Sequence, residues 1–145
     1  RLNTRTGEVD PLARSGRSGD PVAGPLKTPQ ASPLDRPWGL AAAESTLFIT
    51  NAAGHQVWAL ELGTRVLRRV AGSGLFGLED GDSAETRFAQ PSAIAIVGEH
   101  ACVLDAASSA LRQIKLSDGS VRTLFGRGLF EFGLKDGGAR QALMQ

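Results

Sequence analysis

Short strands repeated in fours at a fixed interval make this an all-β chain with the organisation of propeller blades. The interval shows in a self-comparison. Moving the sequence by 54 residues lays Pro37 on Pro91, Leu40 on Ile94, Ile49 on Val103, Asn51 on Asp105, Val57 on Leu111, Leu60 on Ile114 and Gly72 on Gly126. After Phe76 and Phe130 the spacing becomes 56 and pairs Gly77, Asp80, Gly81 and Phe88 with Gly133, Asp136, Gly137 and Met144, so two residues have entered a loop. Within each copy, apolar runs such as Leu47-Phe48-Ile49 alternate with Gly, Asn, Asp and Ser clusters, the spacing of strands and turns. Apolar residues at i, i+3 and i+4 are not sustained anywhere over the length a helix needs, so helices are minor. Four strands in each unit of about 40 to 50 residues is the period of a propeller blade.

Six of the seven prolines fall in the first 37 residues, and Pro11, Pro21, Pro25, Pro29 and Pro33 mark that stretch as mostly loop. Before it, Leu2 to Val9 matches Leu116 to Val121 with two extra residues in the turn, so the chain opens inside a blade. The first full copy gives strands near 39–43, 46–50, 56–62 and 66–71. The second gives 93–97, 100–104, 110–116 and 120–125. Leu60 and Leu62 point to one side of their strand while Val57 and Ala59 point to the other, and a sheet apolar on both faces needs cover on both. Leu60 and Ile114 are therefore expected on faces that await neighbouring blades. Asp82 to Phe88 has room for one helical turn. Leu143-Met144-Gln145 matches Arg87-Phe88-Ala89, so the sequence stops before the proline that would open another blade. The expected organisation is the end of a blade plus loop over 1–35, a blade over 36–90 and a blade over 91–145, ten strands in two and a half blades.

Sixteen Lys and Arg against fifteen Asp and Glu leave a net charge of +1, too little field to argue for nucleic acid or an anionic membrane. Cys102 is the single cysteine, which excludes an internal disulfide and a cysteine-based metal site. No apolar run approaches the length of a spanning helix, and Arg1 to Asp10 lacks the apolar core of a signal peptide, so a soluble chain is expected.

Val70-Ala71-Gly72-Ser73-Gly74, then Asp80-Gly81, then Arg87-Phe88-Ala89-Gln90-Pro91 resembles the NHL repeat. The triplet that names that repeat falls at Gly54-His55-Gln56-Val57 and is degraded to Ser108-Ser109-Ala110-Leu111 in the second copy. Arg36-Pro37-Trp38, His55-Gln56-Val57-Trp58-Ala59-Leu60, Phe88-Ala89-Gln90-Pro91-Ser92 and Leu129-Phe130-Glu131-Phe132-Gly133 together resemble the NHL repeat-containing protein 2 family. That resemblance implies a six-bladed NHL propeller preceded, in the family, by a thioredoxin-like domain. This chain has no Cys-x-x-Cys, so the redox chemistry implied by such a domain is not among its own residues. The function expected is a non-catalytic binding or scaffold module, with protein or the remaining blades of its own propeller as partner and no cofactor. The competing classes are a fragment of a metal-dependent propeller enzyme, of lyase or lactonase type, and an RNA-binding propeller.

Trp38, His55, Asp80 and Arg127 are the candidates for a binding surface on the face formed by the loops. His55 lies in the turn between second and third strands; zinc would need three or four ligands, and His100, the other histidine, falls at the opposite end of its blade. A turn hydrogen bond is the expectation for His55. Asp80-Gly81 recurs as Asp136-Gly137 and lacks the acidic spacing of a calcium loop, which favours a repeated turn with Asp on nearby backbone amides and Gly at positive φ. Gly72-Ser73-Gly74 and Gly126-Arg127-Gly128 resemble a phosphate loop only loosely, since no Lys-Ser/Thr follows. Cys102 is expected buried, Trp58 in inter-blade packing and Trp38 exposed. Arg65, Arg68, Arg69 and Arg122 are expected on fourth strands, where basic residues protect an edge from pairing.

Overall fold

A computed structural model describes residues 1–12, 34–138 and 141–143. The loop expected over 13–33 and the match of Met144 with Phe88 lie outside the described residues. The chain forms β1 (Pro37–Ala43), β2 (Thr46–Asn51), β3 (Gln56–Glu61), β4 (Leu67–Ala71), β5 (Pro91–Val97), β6 (His100–Asp105), β7 (Ala110–Lys115) and β8 (Val121–Phe125). β1 to β4 make one antiparallel sheet in chain order and β5 to β8 make a second. Registers repeat as well: Ile49 faces Trp58 across β2 and β3, and Val103 faces Arg112 across β6 and β7.

Two expectations about the elements are corrected. The described residues hold eight strands in two sheets, and Leu2 to Val9 contributes only a turn closed by the Leu2–Val9 bridge. That turn carries no insertion: Gly7 N–H donates to Asn3 and Asn3 N–H to Glu8, as Gly119 donates to Lys115 and Lys115 to Ser120, so Leu2 stands where Ile114 stands rather than Leu116. The one helical turn for which 82–88 has room is present, Glu85 and Thr86 N–H both donating to Asp82 O, and it is not continued into a helix. The unforeseen helical piece is a short 3-10 turn at Ala106–Ser108.

Period-two alternation decides which side chains meet. Phe48, Val57, Ala59 and Val70 of the first sheet pack on Ala101, Val103, Ile114 and Val121 of the second, with Phe88 of the connecting loop between them. On its other face the first sheet packs Ile49, Trp58, Leu60 and Leu67 against Leu34 and Leu12. Each large side chain so enclosed contributes roughly 1.5–3 kcal/mol. Leu60 and Ile114 are therefore not on bare faces: both are buried, because each points back toward the residues preceding its sheet. The open face is the far side of the second sheet, where Cys102, Leu111 and Gln113 are half-buried and Val97 and Leu104 exposed. Cys102 is thus half-buried rather than enclosed. Trp58 is fully buried, with Nε1 donating to Gln56 Oε1 at 3.1 Å, and Trp38 is 72% exposed.

Candidate binding surface on the loop face

The β2–β3 turn and the β4–β5 connection, residues 72–90, emerge at the same end of the first sheet. The connection starts at Gly72, whose φ of +106 recurs at Gly126 (+107); an L side chain there meets both strain and the backbone of His55 and Gln56. Three residues on, Leu75-Phe76 and Leu129-Phe130 form equivalent exposed tips. The rings of Phe76 and Phe130 stack with centroids 6.2 Å apart and an interplanar angle of 25°. His55, held in the left-handed region (φ 54), sets its ring edge-on to Phe76 at 5.4 Å and 82°. Its backbone N–H donates to Ala52 O at 3.4 Å, but buried Nδ1 has no partner, so the expected turn bond is a main-chain one. Burial holds the imidazole below its ordinary range, against the opposing pull of the Asp105 charge. Removing the ring in His55→Ala is expected to cost about 0.5–1.5 kcal/mol through the lost aromatic contact, read by urea unfolding, with unchanged metal content by elemental analysis; stoichiometric zinc lost in the variant would reverse the assignment.

Below these tips the connection is fastened to the second sheet by charge. Arg112, at the centre of β7, is fully buried. It donates from Nη1 to Arg87 O (2.9 Å) and from Nη2 to Glu79 O (2.8 Å) and Asp80 Oδ1 (2.9 Å), and its Nη1 lies 3.5 Å from Asp105 Oδ2. The guanidinium also sits over the Phe88 ring, 5.0 Å from its centroid. Asp105 accepts the Ala89 N–H on both carboxylate oxygens, and burial pushes its carboxyl up from the usual range against these bonds and the Arg112 charge. In the first sheet Asn51 accepts Asp35 N–H at 2.6 Å, the same bond one repeat earlier, made by a neutral side chain.

Asp80 is not the local turn residue expected. Its carboxylate accepts Thr123 N–H (2.8 Å), Thr123 Oγ1–H (2.7 Å) and Arg112, so it reaches across to β7 and β8. Gly81 and Gly137 do take positive φ, +146 and +157. Open space surrounds a Cβ built on Gly81, so Gly81→Val is expected to lose about 1 kcal/mol or more to backbone strain alone. Asp80→Asn is expected to lose at least as much, because an amide NH2 must face a donor among Arg112 and Thr123. Calcium that raises the melting temperature of the native chain and not of Asp80→Asn would mark an ion site instead. Among the described residues no three His, Cys, Asp or Glu side chains converge on a point where a metal could sit.

The four candidates do not form one cluster. His55 belongs to the aromatic tips, Asp80 is directed into the second sheet, Arg127 is exposed in the loop after β8, and Trp38 lines the opposite side of the first sheet. Phe76, Phe130 and Arg112 were not singled out. The first two carried a signal in the recurrence of Leu-Phe after Gly-x-Gly, and Arg112 in its place on the buried side of an alternating strand. Arg65 is not on a strand but in the β3–β4 turn, with φ 58 where Gly119 has 75.

Four-stranded antiparallel sheets in chain order, packed face to face with β1 against β5, are blades of a β-propeller. They are NHL-type blades, and the curated relatives bear this out. The chain is 31% identical over 176 residues to NHL repeat-containing protein 2 of Homo sapiens and 33% over 147 residues to that of Gallus gallus, matching 100% and 80% of this chain. It is 30% identical over 148 residues to the protein SUPPRESSOR OF QUENCHING 1, chloroplastic, of Arabidopsis thaliana, matching 94% of this chain. It spans 24%, 20% and 14% of the lengths of these three. No protein-family model matches. A solved structure of a Bacteroides thetaiotaomicron protein of unknown function superposes with a TM-score of 0.72 and 21% identity over 99% of this chain and 34% of that one, a likeness of fold. No helix among the described residues is long and apolar enough to cross a membrane.

Proposed function

We propose that this chain is a non-catalytic binding module that engages a protein partner through the loop face of its blades, as part of a larger NHL propeller. The observation that carries the reading is the stacked Phe76–Phe130 pair, two equivalent tips that expose rather than bury their rings, Phe130 by 66%. Exposed aromatic and leucine side chains gathered at one end and rimmed by Arg127, Glu131 and Lys135 have the composition of a contact surface with an apolar centre and a polar rim. The clasp of Arg112 and Asp80 holds one tip loop in place before any partner arrives, which lowers the ordering cost of binding. The test is affinity purification from the source cells of the native chain, a Phe76→Ser/Phe130→Ser variant and a Trp38→Ala variant. A partner lost with the double variant and kept with Trp38→Ala is expected. One kept by the double variant would refute the reading.

A further inference from the structure

The end of the second sheet opposite the loop face carries a group of donors that the repeat does not require. His100 faces Lys115 across β6 and β7, and Gln113 faces Arg122 across β7 and β8. Gln113 and Lys115 alternate on one strand, so all four side chains stand on the same face. With Ser120 and Val121 they line a concavity of about 270 Å³. Arg122 Nε donates to Gln113 Oε1 at 2.7 Å, which fixes the plane of the guanidinium. Among the described residues neither Arg122 Nη group, nor the Gln113 amide nitrogen, nor the His100 ring has a hydrogen-bond partner. Lys115 Nζ lies 3.3 Å from Asp118 Oδ2 at the rim, an exposed pair that contributes little and yields to a better acceptor. Asp118 Oδ1 is held by Ser120, whose N–H and hydroxyl both donate to it.

The first blade has Thr46, Ala59, Glu61 and Arg68 at the places of His100, Gln113, Lys115 and Arg122. There Thr46 Oγ1 donates to Glu61 Oε1 at 2.8 Å, and one acid balances one base. A constraint imposed by folding recurs in both copies, and this reversal of charge does not. Edge protection accounts for a cation on β8, but Lys115 and His100 belong to interior strands. A sheet packed on this face would not enclose the corner either. Thr46, Glu61 and Arg68 share a face with Phe48, Ala59 and Val70, on which the second sheet packs, and they remain only half-buried. We propose that this corner of the second sheet binds a phosphomonoester dianion. The Arg122 fork takes a pair of its oxygens, Lys115 adds a point charge, and the Gln113 amide and the His100 ring N–H donate to what remains. A planar carboxylate would be satisfied by Arg122 alone, whereas donors that arrive from three strands suit a tetrahedral ion.

The test is a nuclear magnetic resonance titration of the isotope-labelled full chain with inorganic phosphate, at fixed pH and with ionic strength held by chloride. Saturable shifts of the Arg122 Nε–H and His100 ring signals are expected, with a dissociation constant on the order of 1 mM. Arg122→Gln and Lys115→Gln, both at exposed positions, should each bind about tenfold or more weakly. Asp118→Asn should bind about threefold more tightly, because it removes the opposing charge while its amide oxygen still accepts from Ser120. A glycine-flanked phosphoserine peptide and its serine counterpart separate the sources. Tighter binding of the phosphopeptide than of inorganic phosphate supports a phosphate carried by a partner chain, and equal or weaker binding supports the free ion. Shifts that chloride alone reproduces, binding unchanged in both Arg122→Gln and Lys115→Gln, or weaker binding in Asp118→Asn would each overturn the proposal.

Discussion

Arg112→Met is expected to lower the free energy of unfolding by about 3–5 kcal/mol, read from urea or thermal unfolding. The cost comes from what stays behind. Asp105 is fully buried, and without the guanidinium its charge keeps hydrogen bonds from Ala89, Gln90 and Ser108 but no counter-charge, while the Glu79 and Arg87 carbonyls lose a donor. Breaking a buried pair by deleting one member leaves an uncompensated charge, a larger penalty than the net worth of the intact pair. The chain contains its own control, because the first blade has the neutral side chains Asn51 and Trp58 at the places of Asp105 and Arg112. Adding Asp105→Asn to Arg112→Met should therefore recover part of the loss, the non-additivity of groups in one network. Equal and additive losses would mean that Arg112 acts by volume alone.

In sedimentation velocity the chain is expected to run as a particle larger than one 145-residue polypeptide, increasingly so with concentration. The far face of the second blade offers Val97, Leu104 and half-buried Cys102 and Leu111 without cover. This face mixes those apolar side chains with Gln113, Arg122 and Lys115, and its uncovered apolar part is what associates. Leu104→Glu should weaken the association about tenfold or more, one charge on that face being worth at least 1.4 kcal/mol of binding, and should leave the unfolding midpoint nearly unchanged. A compact, non-associating native chain would show that this face needs no partner.

The repeat made most of the fold legible. Pro37 and Pro91 open the two sheets, and the turn clusters place every strand to within two residues. Positions that recur with different chemistry were harder to read. Gly72, Gly119 and Gly126 announce a positive φ, whereas Arg65, His55 and Ser109 adopt it with nothing in their identity to say so. Arg112 shares a strand face with Ala110 and Ile114, but sequence does not show that carbonyls of a loop some thirty residues earlier converge on it. Asp80 was legible as a turn residue, but its partners are 32 and 43 positions away. The binding surface was found at the level of a face; which rings meet on it depends on loop backbone that apolar periodicity does not encode.

The hydrogen bond from Thr50 of β2 to Ser92 of β5 ties the two sheets near their inner margin, and the bonds from Asp80 tie the connecting loop that leaves β4 to β8 at the outer margin. Two plates fastened along a single margin can open like a book. Fastened along both, they resist fanning and can only slide. Mechanical load applied to one blade is therefore passed to the next as a stiff body, and flexing of a ring built from such pairs concentrates where one of the two fastenings is missing.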